Sequence, residues 1–188
     1  MLLRLPHLLQ MSSGWRRTWG SSDRMSQFYI SVVERNDPVG LDDAWTLFEA
    51  YGSWLGDLAG TTTVAAETQT LPAPYEAPGG VLLLARDDSG RAVGIVGIRE
   101  QSGTACEIKR LFVRGEVRGQ GLGRALARAA LDHARALGYA ECYLTTLPGV
   151  MDSALRMYRS LGFVATESFR DFSHVPADVS LVFLKRPL

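Results

Sequence analysis

The chain shows clear strand-like and helix-like hydrophobic periodicity from residue 28 onward. Residues 28–35, FYISVVER, are rich in β-forming side chains, and residues 40–56 place apolar side chains at helical spacing. Residues 57–80 are weakly periodic and end in LPAPYEAPGG, whose prolines and glycines favour a loop. The pattern therefore predicts a strand, a helix and then a mobile acidic surface segment.

The middle of the chain predicts three strands joined by short turns, and a long helix follows. Residues 81–100 read as two strands around Asp88-Ser89-Gly90, and ACEIKRLFV, residues 105–113, is the third. Residues 122–137 carry an apolar helical face, and Gly138 is a typical helix stop. The rest of the chain predicts the strand AECYLTTL, the short helix MDSALRMYRSL, and the strands GFVATESF and VSLVFLKR.

This order of elements predicts an α/β fold of the mixed α+β kind, with a central, mostly antiparallel twisted sheet of about seven strands flanked by helices. The short turns require antiparallel pairing, whereas the strand-helix-strand step after the glycines requires a parallel crossover. We expect a single domain over residues 25–188. Residues 1–24 superficially resemble a transit peptide, and we interpret them as a poorly ordered extension or an over-long start before Met25.

The charge of the chain limits its partners. The formal net charge is zero and no apolar run is long enough to cross a bilayer, so we predict no nucleic-acid partner, no membrane partner and a cytoplasmic location. Charges of the two signs are nevertheless segregated. Residues 34–78 contain eight acidic side chains and one basic, whereas residues 107–135 contain seven basic and three acidic. These runs are either solvated faces or two separate binding regions.

Cysteine and histidine give no sign of a metal site. Cys106 and Cys142 lie in predicted strands without metal-type spacing, so we interpret them as reduced thiols of the core. The three histidines are scattered along the chain, and the sequence predicts no bound metal.

The stretch VRGQGLG, residues 117–123, joins a predicted strand to a predicted helix. Backbone N–H groups and the positive end of a helix dipole meet at such a junction, which suits an anion. Gly119, Gly121 and Gly123 remove Cβ atoms and permit backbone angles that turn successive amides inward. The spacing excludes the dinucleotide fingerprint GxGxxG, because Arg124 or Leu126 occupies its third position, and no GxxxxGK[ST] motif is present.

The segment RGQGLG fits the pattern [QR]xxGx[GA]. Together with CEIKRLFVRGEVRGQGLGRAL and ALRMYRSLGF it resembles the acyl-CoA loop of the GNAT superfamily of N-acetyltransferases, most closely over residues 105–163. The resemblance implies acetyl-CoA as the acyl-donor cosubstrate and a GNAT-like fold over residues 27–186. It implies that the diphosphate is held by Arg118, Gly119, Gln120, Gly121, Leu122, Gly123 and Arg124. It also implies that the pantetheine arm pairs, between two separated strands, with the backbone of Leu111, Phe112 and Val113.

The resemblance implies two catalytic residues. Glu107 matches the position of a general base in some members, although pairing with a nearby base such as Lys109, on the same strand face, is the alternative. Tyr158 matches a tyrosine that protonates the departing sulfur, with a core position as the alternative. Where many members have an asparagine contacting the cofactor, this chain has Met151. The implied reaction is direct acetyl transfer to the primary amine of a small molecule or peptide.

The acceptor side is predicted from the acidic first half of the chain. This half also contains Trp45, Tyr51, Trp54 and Tyr75, and an acidic, aromatic wall favours a cationic amine. The alternative is that the aromatic side chains belong to the core and the acids are solvated. A non-catalytic acyl-CoA-binding module is the competing hypothesis for the whole protein. A nucleic-acid-binding module is disfavoured, because the chain lacks the continuous basic face that such a module requires. The sequence leaves open whether the protein forms a homodimer.

Overall fold

The computed structural model describes residues 27–56, 58 and 61–188, so the interpretation of residues 1–24 lies outside the described part. A 3-10 turn at Gly115–Val117 precedes the third helix. In chain order the strands and α-helices are β1 (Phe28–Val32), α1 (Pro38–Leu55), α2 (Thr61–Gln69), β2 (Val81–Asp87), β3 (Ala92–Ser102), β4 (Ala105–Val113), α3 (Leu122–Ala136), β5 (Glu141–Thr146), α4 (Asp152–Ser160), β6 (Val164–Ala165) and β7 (Val182–Pro187).

The strands form one seven-stranded sheet in the order β1-β2-β3-β4-β5-β7-β6. β4 and β5 pair in parallel, and every other neighbouring pair is antiparallel. Helix α3 makes the crossover between the two parallel strands, as the spacing of the elements requires. The predicted mixed, mostly antiparallel sheet of about seven strands is therefore confirmed.

Helices cover both faces of the sheet, which explains the consecutive apolar residues of β2. Leu83 and Ala85 pack in the cluster that contains the buried residues of α3, whereas Leu82 and Leu84 pack in the cluster that contains those of α1. Successive side chains of a strand point to opposite faces, so a central strand covered on both sides is apolar at every position. The strands β2 and β3 thus form a buried part of the sheet beside β4.

The two long helices begin and end where the chain provides suitable residues. The Asp37 carboxylate accepts a hydrogen bond from the Gly40 N–H at 2.9 Å, and Pro38 follows it at the first helical position. Helix α3 buries Leu122, Leu126 and Ala130, and Gly138 follows it with φ of +87°. None of the helices in the described ranges has both the length and the apolar character that a membrane span requires.

The prediction of a mobile acidic surface segment over residues 57–80 missed a helix, although LPAPYEAPGG, residues 71–80, lies outside helices and strands as predicted. The segment contains α2, and Tyr75 behind it is fully buried. The Tyr75 ring lies on β3 at Gly97, where a Cβ atom would come within 2.5 Å of it. The predicted strand over residues 162–169 is also shorter than expected, because only the two residues of β6 pair with β7.

Candidate active site

A gap between β4 and β5 defines the candidate site. The two parallel strands are in register over residues 105–107 and 141–143, and they separate after that point. On the other edge of β4, the pairing with β3 is offset by a bulge between Lys109 and Phe112, within which Arg110 has φ of +56°. Bulges bend a strand and re-aim its side chains. The separation that the pantetheine arm would need is therefore present in the fold.

A cavity of about 120 Å³ occupies this gap. Both predicted catalytic residues, Glu107 and Tyr158, line it, and so do Leu111 and Met151. Its other walls are formed by α1, by the neighbouring residues of β4 and β5, by α4 and by the loop before β7. The remaining lining residues are Tyr51, Leu55, Ile108, Lys109, Arg110, Leu144, Thr145, Thr146, Leu147, Ala154, Arg170, Phe172, His174, Val175 and Leu181.

The glycine-rich turn forms the start of α3, next to this cavity. Gly119 and Gly121 have φ of +78° and +83°, conformations that other residues adopt only with strain. Gly121 is the N-cap, so no side chain caps the helix. The first hydrogen bond of the helix runs from the Ala125 N–H to the Gly121 carbonyl at 3.0 Å, so the earlier N–H groups have no acceptor within the helix. Such groups suit a diphosphate.

The third glycine and the flanking arginines also make contacts within the protein. Gly123 is helical without a positive φ, and a Cβ there would make ordinary contacts at 3.8 Å with Leu111 and Val113. The Arg118 guanidinium lies 5.2 Å from the centre of the Trp54 ring, and its Nε donates to the Val113 carbonyl at 2.8 Å. Arg124 donates to the Ser160 hydroxyl at 2.7 Å and so links α3 to α4. Gln120 and Leu122 complete the turn.

Tyr158 lies both in the core and at the cavity. Its ring packs edge-on against Phe163 at 5.5 Å between centres, as a core residue does, and the side chain also lines the cavity. Burial raises the pKa of Tyr158 well above its usual value. The hydroxyl therefore stays protonated at neutral pH.

Glu107 is 2% exposed and is held by arginines rather than by Lys109. Arg99 donates to Oε2 of Glu107 from Nη2 at 2.7 Å and from Nε at 3.1 Å. Arg170 approaches Oε1 from the other side, with its Nη2 at 3.4 Å. Glu107 therefore forms ion pairs, which was the alternative to a role as general base, although its partners are Arg99 and Arg170. Its Oε1 has only the 3.4 Å contact with Arg170.

Lys109 and Arg110 pair instead with Glu67, which sequence analysis did not identify as a site residue. Glu67 accepts hydrogen bonds from Arg110 Nε at 2.8 Å and from the Tyr75 hydroxyl at 2.6 Å, and the Lys109 ammonium lies 3.5 Å away. Burial opposes ionisation of Glu67, but the hydrogen bond and the charge of Arg110 outweigh it and lower its pKa to about 2. Burial and the charge of Arg110 lower the pKa of Lys109 to about 8.

We call the six charged residues joined by these contacts the cavity charge cluster: Glu67, Arg99, Glu107, Lys109, Arg110 and Arg170. The sequence contains a signal for this cluster. Arg99, Lys109 and Arg110 lie on otherwise apolar strands, and buried cations require carboxylate partners from elsewhere in the chain.

Among the described residues, no acidic side chain from residues 34–78 lines the cavity, so the predicted acidic acceptor wall is not found there. Glu67 is neutralised within the cavity charge cluster, Asp43 pairs with Arg86, and Glu76 pairs with Arg35. Of the predicted aromatic residues, Tyr51 lines the cavity and Tyr75 is buried in the core. The charged side chains that line the cavity are mainly cationic.

The two cysteines lie side by side at the closed end of the gap. Cys106 and Cys142 are register partners in β4 and β5, and both are free and fully buried. The hydrogen bond with Cys106 and burial raise the pKa of Cys142 well above its usual value. A protonated, buried thiol is a poor nucleophile, which agrees with the interpretation as core thiols. The described residues contain no group of three or more side chains arranged to hold a metal ion.

Comparison with known proteins defines the class. Residues 42–163 match the acetyltransferase (GNAT) family, and the protein belongs to that family. It is 36% identical over 141 residues to an uncharacterised N-acetyltransferase of Schizosaccharomyces pombe, covering 74% of this chain and 86% of the relative. It is 31% identical over 160 residues to an IAA acetyltransferase of Azospirillum brasilense, covering 84% and 97%. The protein is accordingly an acyltransferase.

Solved structures show the same fold at low sequence identity. An acetyltransferase from Streptococcus agalactiae superposes with a TM-score of 0.69 at 18% identity, covering 87% of this chain and 99% of that one. An aminoglycoside 6'-N-acetyltransferase in complex with coenzyme A gives 0.62 at 20% identity, covering 85% and 96%. The predicted GNAT-like fold is therefore confirmed.

Proposed function

We propose that the protein transfers an acetyl group from acetyl-CoA directly to the primary amine of a small molecule or peptide. The observation that carries the proposal is the gap between β4 and β5 beside the uncapped start of α3. This arrangement offers an open strand edge, a site for a diphosphate and a cavity lined by Glu107 and Tyr158. These are the elements that acyl transfer from a thioester to an amine requires.

In this proposal the donor binds along β4 and the start of α3. Its diphosphate accepts hydrogen bonds from backbone N–H groups of residues 119–124, while Arg118 and Arg124 add positive charge. Its pantetheine arm pairs with the backbone of residues 111–113 as an added strand would. The edge of β4 that faces β5 is available for this pairing because the register with β5 ends at Glu107.

Two proton transfers accompany the reaction, and the proposal assigns one to each predicted catalytic residue. Glu107 accepts the proton of the amine through a water molecule at Oε1, the oxygen with only the 3.4 Å contact. Tyr158, which burial keeps protonated, donates a proton to the departing sulfur. The surrounding cations assist the first transfer, because nearby positive charge disfavours an ammonium ion.

The test is thiol release from acetyl-CoA with a panel of amines, alongside calorimetric titration of CoA into the protein. Acceptor-dependent thiol release together with CoA binding supports the proposal. Tight CoA binding without release for any acceptor would identify an acyl-CoA-binding module instead. Absence of CoA binding would refute the assignment of the gap as the donor site.

The role of Tyr158 is tested by Tyr158→Phe. Loss of a general acid lowers turnover by about 100-fold or more, while CoA affinity stays close to that of the wild type. Tyr143→Phe is the matched control, because that hydroxyl bonds to Glu141 and does not line the cavity. Equal turnover for the wild type and Tyr158→Phe would remove Tyr158 from the mechanism.

A further inference from the structure

The side chains that line the cavity have an excess of positive charge. Among the described residues, Lys109, Arg110 and Arg170 line it, and Glu107 is the one acidic side chain that does so. The cavity charge cluster as a whole contains four cations and two carboxylates. Asp171, next to Arg170 in the chain, does not line the cavity, and its carboxylate accepts hydrogen bonds from the backbone N–H and the hydroxyl of Ser173.

Three residues that line the cavity have side-chain atoms without hydrogen-bond partners. Within the described part of the chain, the buried side-chain nitrogen and oxygen atoms without a partner are Thr145 Oγ1, Thr146 Oγ1 and Arg170 Nε. All three residues line the cavity, and all three atoms can donate a hydrogen bond. A buried donor without an acceptor costs about 1–3 kcal/mol, so a ligand that supplies acceptor atoms would recover this energy.

Lys109 of β4 and Thr145 of β5 lie on the same face of the sheet, on opposite sides of the gap. Glu107 and Tyr143 are register partners in these two strands. Lys109 and Thr145 follow them by two residues, and residues two apart in a strand share a face. Arg170 reaches this face from the loop before β7, where its guanidinium stacks 3.9 Å from the centre of the Phe172 ring. Its Nη2 contacts Glu107, whereas its Nε has no partner.

We infer that the amine acceptor also carries an anionic oxyacid group, such as a carboxylate, which Lys109, Arg170 and Thr145 bind. This inference rests on the proposed function. The anion neutralises the excess charge of the cluster and accepts hydrogen bonds from donors that otherwise have none. It also orients the acceptor so that its amine lies towards Glu107. Arg110 contributes charge, but its Nε is already engaged by Glu67.

The cavity has a volume of about 120 Å³, equivalent to about four water molecules. An amine with a neighbouring carboxylate is a group of about this size.

The experiment compares acceptors that differ only in their anionic group. Thiol release from acetyl-CoA is measured for alanine, methionine, phenylalanine and 4-aminobutyrate, each with its carboxamide and its decarboxylated amine. β-Alanine, taurine and 2-aminoethylphosphonate distinguish a carboxylate from a sulfonate and a phosphonate. Charge-assisted hydrogen bonds contribute about 1.5–3 kcal/mol, so kcat/KM for the preferred acid should exceed that for its carboxamide by about tenfold or more.

Two substitutions test the assigned residues. Lys109→Met keeps the length of the side chain and removes its charge, and Arg170→Lys keeps the charge and removes Nε. Both substitutions should reduce the ratio of kcat/KM for the acid to kcat/KM for its carboxamide, mainly by raising KM for the acid. Lys185→Met and Arg135→Gln are matched controls, because those side chains are about 40% exposed and lie outside the cavity.

The outcomes separate this inference from the proposed function. A preference for acids that both cavity variants reduce supports the inference. Turnover of amines without such a preference, or a preference that Lys109→Met and Arg170→Lys leave unchanged, overturns it while the proposed function stands. CoA binding without thiol release for any acceptor overturns the proposed function and the inference together.

Discussion

Glu67→Gln tests whether the cavity charge cluster exists as described. The substitution keeps the size of the side chain and removes the carboxylate that faces Arg110 at 2.8 Å, Lys109 at 3.5 Å and Arg99 at 3.9 Å. A pKa of about 2, against a usual value of 4.5, corresponds to about 3 kcal/mol of stability at neutral pH. Removal of one partner from a buried ion pair typically costs about 3–5 kcal/mol, so the two estimates agree.

The assay is thermal unfolding followed by circular dichroism, with urea unfolding as a second measure. For a chain of this length, a loss of about 3 kcal/mol lowers the midpoint by about 6–12 °C. The difference from the wild type should shrink as pH falls from 4.5 towards 2, because the wild-type carboxylate is then protonated. Glu76→Gln is the control, since its partner Arg35 is exposed. A midpoint for Glu67→Gln equal to that of the control would refute the cluster.

Three further predictions concern the glycine turn, the lysine and the cysteines. Gly121→Ala and Gly138→Ala should each lose about 1 kcal/mol of stability because both positions have a positive φ, but Gly121→Ala alone should weaken CoA binding in calorimetry. The preference for acidic acceptors should decline as pH rises through about 8, where Lys109 loses its proton. This decline should be absent in Lys109→Met. Because unfolded Lys109 titrates near 10.5, the wild type should also gain stability relative to Lys109→Met between pH 8 and 10.5, as urea titrations can show. Incubation with acetyl-CoA alone should leave the intact mass unchanged, and an acetyl adduct on Cys106 or Cys142 would contradict direct transfer.

The parts of the fold that sequence predicts well are those with strong local signals. The apolar runs of the sheet, the apolar face of α3 and the stop at Gly138 depend on residues close to each other in the chain. Helix α2 has no such signal. Its sequence is TTTVAAETQ, and among its residues with described side chains Val64 and Thr68 are the buried ones, too few to make a periodic pattern.

The candidate site also has a part that local sequence predicts and a part that it does not. The glycine turn at the start of α3 was predictable because the turn and the neighbouring strand are contiguous in sequence. The acceptor side depends on Glu67, Arg99, Lys109 and Arg170, which come from a helix, two strands and a loop far apart in the chain. These residues carry more positive than negative charge, whereas Asp43 and Glu76 of the acidic first half pair with Arg86 and Arg35 away from the cavity. A local count of acids therefore suggested a cationic acceptor, whereas the charged side chains described at the cavity are mainly cationic.

We propose that an acyl donor and an amine react in the gap between β4 and β5. The decisive experiment quantifies CoA thiol and N-acetylated product in the same reaction mixture, with the wild type, Tyr158→Phe and Tyr143→Phe. We expect one molecule of product for each thiol released, strict dependence on the acceptor, and a rate lowered by about 100-fold or more in Tyr158→Phe alone. Thiol release without acetylated amine, or equal rates in all three proteins, would refute the proposal.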